Sequence, residues 1–288
     1  MSHMQAGGGP GTRPDTSPDA DEPLWSHRCM WTDLLVPVSL DAGRGDLDLS
    51  VGWADRWTAT WKYAGDEVTG PVRHLGQVPV ASRGPMRGFT WRREQKHRPG
   101  LESLMATGRL HGFESLEEDQ FLVALDFAGD LVEVLAQPLR IRFRSAEKWR
   151  RHTPDFLAVT RADTWLIDVR PRHLIAPENL ESFAAVDEVA VACGWHYVVA
   201  AEWRPHVRST LGALYGKRRP TRDVLGVQGD LLAQAEGGVT FGELAAAQAY
   251  WPVARAQLLH LLWHRRLGID LSQPLTDRTR VVRAGGVS

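Results

Sequence analysis

The stretch RRHTPDFLAVTRADTWLIDVRP, Arg150–Pro171, decides the fold. It reads as two short apolar strands, and each carries an acid where a strand core should exclude one. Asp155 follows a proline directly before the first strand, and Asp168 sits inside the second, two residues ahead of Arg170. An unpaired buried charge is costly, so these acids need partners. Either they help hold a cation, or they are a Pro-Asp turn and a strand-edge ion pair between Asp168 and Arg170. The residues of this stretch alone leave both readings open.

Working outward, FESLEEDQFLVALDF (Phe113–Phe127) predicts a helix, and DLVEVLAQPLRIRF (Asp130–Phe143) two strands bent at Gln137-Pro138. TPDFLAV and TWLIDVR add two more strands. PENLESFAAVDEVAVACG (Pro177–Gly194) predicts a helix with Pro177 in its first turn and Gly194 as its stop. WHYVVAAE (Trp195–Glu202) closes the unit as a strand. The order α-β-β-β-β-α-β is that of a compact α/β module over residues 106–205.

Around it we expect a disordered tail over 1–23, a β-rich region over 24–105, a basic linker over 206–222, and a last unit over 223–288. In the β-rich region Trp53, Trp57 and Trp61 are spaced for a helix, yet RWTATWKYAG from Arg56 alternates like a strand and is read as one. In the last unit Thr240 and Glu243 have capping-box spacing ahead of TFGELAAA. A helix from Pro252 to Arg266 and a hairpin over Leu267–Ala284 follow. Helix, helix, helix, hairpin is the winged-helix order, whose third helix can enter a major groove or serve in protein docking. Arg255, Arg265 and Arg266, with His260 and His264, decorate that third helix.

The 288 residues carry a net charge of -1, so the chain as a whole does not advertise a polyanionic partner. Two cysteines, Cys29 and Cys193, lack metal-site spacing and fit a reducing compartment. No apolar run approaches the ~18 residues of a membrane span, so no membrane partner is expected. The twelve tryptophans read chiefly as core and surface anchors. Basic character is local. MRGFTWRREQKHRPG (Met86–Gly100) places Arg92, Arg93 and Lys96 among aromatics, and RIRFRSAEKWRRH (Arg140–His152) ends in Arg150 and Arg151. Such segments can follow a phosphate backbone or be ordinary solvated faces.

At about 100° per residue, Glu118 falls within the stripe of Phe121, Leu122 and Leu125, Glu114 lies at its edge, and Glu117 about a quarter-turn outside. Glu118, Asp155 and Asp168 are therefore three hard-oxygen candidates for one pocket, of the kind that suits Mg²⁺ or Mn²⁺. Strand alternation places Arg170 on the face of Asp168, where a cation could hold a phosphate.

In the order and spacing of these motifs the chain resembles the TnsA-like endonuclease subunits of heteromeric transposases, within the PD-(D/E)xK nuclease superfamily. The matching pieces are FESLEEDQFLVALDF, QP, HTPDFLAV and LIDVRP, with FTWRREQKHRPG as a basic lead-in. The resemblance implies a restriction-endonuclease-like αβββ(β)αβ core and Mg²⁺-dependent hydrolysis of one DNA strand at each transposon end. A separate DDE-type transposase would cut the other strand, an AAA+ ATPase would be a further partner, and the setting would be a bacterial cytoplasm at the nucleoid. Glu118 and Asp155 would be metal ligands, Asp168 would occupy the variable acidic position beside them, and Arg170 the place usually held by lysine. Arginine stays charged and is a poor proton acceptor, so this departure is compatible with an active, a slow or an inactive enzyme. A stand-alone restriction or repair nuclease, and a DNA-binding or scaffolding subunit with a decayed site, are the alternative readings.

Overall fold

The computed structural model describes residues 22–80, 83–86, 99–128, 130–146 and 148–285. Two short helices, α1 (Asp41–Arg44) and α2 (Trp53–Arg56), lead into an antiparallel pair of β1 (Thr58–Tyr63) and β2 (Asp66–Pro71). The strand expected over RWTATWKYAG is β1, with Trp57, Ala59 and Trp61 alternating inward and buried. β3 (Arg83–Gly84) pairs with the end of β1, and β4 (Gly100–Leu104) pairs with β5 (Arg109–Phe113).

Helix α3 (Leu116–Ala128) starts three residues later than the apolar pattern suggests. Phe113 belongs to β5, opposite Gly100. Ser115 then caps the helix, its Oγ accepting the Glu118 N–H at 3.2 Å. After α3 come β6 (Leu131–Ala136), β7 (Arg140–Ser145), β8 (Lys148–His152), β9 (Phe156–Thr160), β10 (Thr164–Val169), α4 (Pro177–Ala192) and β11 (His196–Ala200). Among the described residues five strands stand between the helices, where four were expected. The addition, β8, is the basic run KWRRH, whose alternation is hidden because charges point to both faces.

These strands divide between two sheets. The central sheet has the order β11-β10-β9-β6, parallel between β10 and β11 and antiparallel elsewhere. β7 and β8 join the N-terminal strands in the order β2-β1-β7-β8. The split falls at Gln137, whose φ of 47° turns the chain ahead of Pro138, which has no N–H for a ladder. The stretch 24–105 therefore shares a sheet with the segment 106–205.

Phe121, Leu122 and Leu125 of α3 cover Phe156, Ala158 and Ile167 on one face of the central sheet. Ala185, Val186 and Val189 of α4 cover Leu157 and Leu166 on the other, with Trp57, Ile141 and Phe143 of the second sheet closing the same cluster. Each fully buried Leu, Ile or Phe contributes roughly 1.5–3 kcal/mol. The fold is mixed α/β with several sheets.

The C-terminal part comprises α5 (Val207–Tyr215), α6 (Val227–Gln234), α7 (Phe241–Ala246), α8 (Trp251–Trp263) and an antiparallel pair, β12 (Leu267–Gly268) and β13 (Val282–Arg283). Thr240 and Glu243 form the expected capping box at α7. α8 stops at Trp263, three residues short of the expected end, because Arg265 takes φ 55°. Its guanidinium donates to the backbone carbonyls of Ala128 and Cys29, which ties the C-terminal helices to α3 and to the chain start. Among the described residues no helix is long and apolar enough to cross a membrane.

Candidate functional site

The register of β9 on β10 sets Phe156 opposite Ile167, so Asp155 and Asp168 are the next facing positions at one end of the central sheet. Asp155 Oδ2 accepts the Val169 N–H at 2.7 Å, which fixes the Pro-Asp corner against β10. Asp168 is buried, 3% exposed, where the simpler reading has it at a strand edge paired with Arg170. His152 Nε2 lies 2.8 Å from its Oδ1, and Tyr197 O–H donates to its Oδ2 at 2.7 Å.

Burial raises the Asp155 pKa well above the usual carboxylate range, and the charges of Asp168 and then Glu118 push it the same way. Glu114 adds a smaller push. Glu118, which rises from α3, is thus electrostatically part of the cluster. Burial lowers the His152 pKa, but the charge and hydrogen bond of Asp168 outweigh it, and the net shift is upward. Burial, then Asp168, raise Tyr197 well above its ordinary value, so its phenol keeps the proton it donates.

Sequence reasoning passed over His152 and Tyr197. A signal was present for each. His152 precedes Asp155 by three residues in HTPD, and Tyr197 places an O–H that requires a partner within a strand covered by α4. Arg170 is placed differently from expectation. It lies past the end of β10, exposed, with its Nε donating to the Leu174 carbonyl at 3.2 Å. His152, not Arg170, is the basic side chain hydrogen-bonded to Asp168. Glu118 has a second task, since its carboxylate accepts the Glu114 N–H at 2.8 Å and the Ser115 hydroxyl at 3.0 Å. The Ser115-x-x-Glu118 spacing is a capping signature that the reading of this helix overlooked.

The basic run separates by strand alternation. Arg150 turns inward to an ion pair with Glu181 of α4. Arg151 points outward, directly opposite Arg142, and the guanidinium of Arg142 lies 4.0 Å above the Trp149 ring. Like charges facing across a ladder repel, and here both arginines are exposed, where water screens them. In the C-terminal part Arg255 pairs with Asp277 at 2.6 Å, Arg265 is held by the two carbonyls described above, and Arg266 is exposed beside Gln228. Arg92, Arg93 and Lys96 lie outside the described residues.

Among the described residues no group of three His, Cys, Asp or Glu side chains stands close enough to hold a metal ion. Glu118 is folded back onto its own helix cap, and both Asp168 oxygens engage protein donors. The donor chemistry nevertheless suits Mg²⁺, which takes one or two carboxylates and keeps several waters. A hydrogen-bonded carboxylate oxygen retains a second lone pair for a cation. The repulsion gathered at Asp155 is of the sign that a cation relieves. No protein-family model matches this chain, and no curated protein matches it.

Proposed function

We propose that the chain is a metal-dependent endodeoxyribonuclease, a restriction-endonuclease-like core joined to a C-terminal winged-helix-like unit, acting as the cleavage subunit of a DNA transposition machine. The observation that carries this reading is the meeting of Asp155 and Asp168 on adjoining strands, with Glu118 near enough to act on the charge of Asp155. The spacing and order of these acids match the resembled nuclease motif, and α3 and α4 flank the sheet as that core requires.

In this reading Asp155 and Asp168 hold Mg²⁺ or Mn²⁺ with Glu118 as a further ligand. When bound, the ion supplies polarisation of the scissile phosphoryl oxygen and an acidified water. His152 and Tyr197 orient Asp168 by taking one lone pair on each oxygen. Arg142, Arg151 and Trp149 supply a face for the phosphate backbone, and Arg266 a second contact from the C-terminal unit. A DDE-type transposase and an AAA+ ATPase are the proposed partners.

One observation favours a second reading, a DNA-binding or scaffolding subunit with a decayed site: Arg170 is turned to the Leu174 carbonyl. Nicking of a transposon-end duplex, with and without transposase, in Mg²⁺ and in EDTA, separates the two. Cleavage in Mg²⁺ that is lost in Asp155→Asn and Glu118→Gln supports the nuclease. Cleavage that persists in both variants removes the site assignment. DNA binding without cleavage, with cleavage restored by Arg170→Lys, supports the decayed site.

A further inference from the structure

Two histidines meet at the C-terminal end of α8. His260 and His264 stand one turn apart on the same side of the helix, and the His264 N–H donates to the His260 carbonyl at 3.0 Å. Their ring centroids are 4.3 Å apart. Each ring is also held by the same loop, directly after α5. His260 Nδ1 lies 2.9 Å from the Lys217 carbonyl, which can only accept, so Nδ1 donates and Nε2 carries the lone pair. His264 hydrogen-bonds the backbone of the next residue, Arg218, a bond that favours the protonated ring and so has the ring as donor. Partial burial, then the adjacent His260, outweigh that bond and lower the His264 pKa, so its imidazole is neutral near about pH 7. Each carbonyl thus takes one nitrogen of its ring and leaves the other with a lone pair.

A ring fixed through one nitrogen to a backbone carbonyl, with the second nitrogen available, is the arrangement of a metal-binding histidine. Histidines four residues apart on a helix bring two such rings to one side. An ion about 2.0–2.1 Å from each nitrogen requires the rings to be in contact, as these are. The helix end favours a cation too, because the last carbonyls of α8 leave partial negative charge there. The charge of Asp126 reaches His264 with the same sign, and that of Arg266 opposes it more weakly. We propose that His260 and His264 chelate a divalent transition-metal ion through their second ring nitrogens, with water in the remaining positions. Imidazole suits Zn²⁺, whereas Mg²⁺ and Mn²⁺ prefer carboxylate oxygen. This site therefore differs in chemistry from the acids around Asp155 and does not rest on the nuclease reading. Filled, it would lock the end of α8 to the loop at Lys217 and Arg218.

The test is calorimetric titration of the full chain with Zn²⁺ in excess Mg²⁺, together with histidine ring ¹⁵N NMR. A single saturable Zn²⁺ site is expected, with Mn²⁺ binding it more weakly and two histidine signals moving on addition of Zn²⁺. His264 is exposed, and in His264→Gln the amide can still donate to the Arg218 backbone, so this variant should fold. It should bind Zn²⁺ about tenfold or more weakly, since even changes outside the ligand shell cost that much. His260→Gln, whose amide can donate to the Lys217 carbonyl, should do the same. Both variants should melt near the unaltered chain without metal and lose its Zn²⁺-induced rise. Each should lack one of the two NMR signals that move. No saturable binding in excess Mg²⁺, affinity unchanged in both variants, or movement confined to other histidines overturns the proposal. Asp155→Asn should bind Zn²⁺ as the unaltered chain does, so this site and the nuclease reading fail separately.

Discussion

Replacing Asp155 by Asn removes one charge from the acidic cluster and changes almost nothing else. The amide oxygen can still accept the Val169 N–H that the carboxylate now holds at 2.7 Å. The side chain keeps its size, and Asp168 keeps His152 and Tyr197. What disappears is repulsion. Facing residues of an antiparallel pair hold their Cβ atoms about 5 Å apart. Two unit charges at roughly that distance, in an effective dielectric of about 20, repel by about 3 kcal/mol. The hydrogen bonds of His152 and Tyr197 to Asp168 and local water reduce the effect, so we expect Asp155→Asn to be more stable than the unaltered chain by about 1–2 kcal/mol without metal. At roughly 2–4 °C per kcal/mol for a chain of this size, melting in EDTA should rise by several degrees.

Acid should abolish the difference. Asp155 has its folded pKa raised, so the unaltered chain bears no penalty below the unfolded carboxylate value of about 4 and accumulates it as pH rises through the folded pKa. The gap between the two proteins should therefore be open near about pH 8 and closed near about pH 4. Added Mn²⁺ should raise the melting temperature of the unaltered chain more than that of the variant. Scanning calorimetry on both proteins, with EDTA and with Mn²⁺, reads all of this. A variant less stable than its parent at neutral pH, together with equal Mn²⁺ shifts, would refute a repulsive carboxylate cluster.

On the basic face, Arg151→Ala should weaken DNA binding and lower the slope of log affinity against log salt by about 1. Arg150→Ala should leave that slope unchanged, since Arg150 already pairs with Glu181; equal slopes for all three proteins would remove the assignment. Arg218→Met leaves Glu102 buried without its cation and should destabilise the chain by about 3–5 kcal/mol in denaturant titration. His111 is buried, with Nδ1 at 3.0 Å from the Val134 carbonyl and Nε2 at 2.6 Å from the Thr107 hydroxyl, and burial lowers its pKa. The unfolded chain takes up that proton first, so stability should fall as pH drops through about 6.5. In His111→Gln that part of the fall should be missing from melting curves across the range.

What the sequence discloses follows from which signals are local. The α7 capping box, Pro177 at the start of α4, the stop at Gly194 and the two acids around β9 and β10 depend on neighbours a few residues away, and each was legible. The division of the strands between two sheets was not. Gln137-Pro138 marks a bend, but that β7 leaves β6 for β1 depends on the inward face of Trp57, Ala59 and Trp61, some eighty residues earlier by number. Arg150 and Arg151 are adjacent and chemically identical, yet one is bound to α4 and the other faces solvent. Only recognition of β8 as a strand would have told them apart. Arg265 looked like a groove-reading side chain because nothing nearby in sequence announces the carbonyls of Ala128 and Cys29.

Glu118 shows why the acidic site was only half legible. Its place in the stripe of α3 suggested a ligand, and its spacing from Ser115 equally specified a cap. The two roles are physically compatible. The cap requires acceptor oxygens, whereas the effect on Asp155 requires charge. An amide keeps one acceptor oxygen for the Glu114 N–H and can donate its NH2 to the Ser115 hydroxyl oxygen, but it carries no charge. Glu118→Gln should therefore keep α3 intact and lower the Asp155 pKa toward the ordinary range, whereas Glu118→Ala would remove cap and charge together. Cleavage lost in Glu118→Gln, with the fold preserved, would thus locate the defect in the charge of this residue and not in the helix it starts.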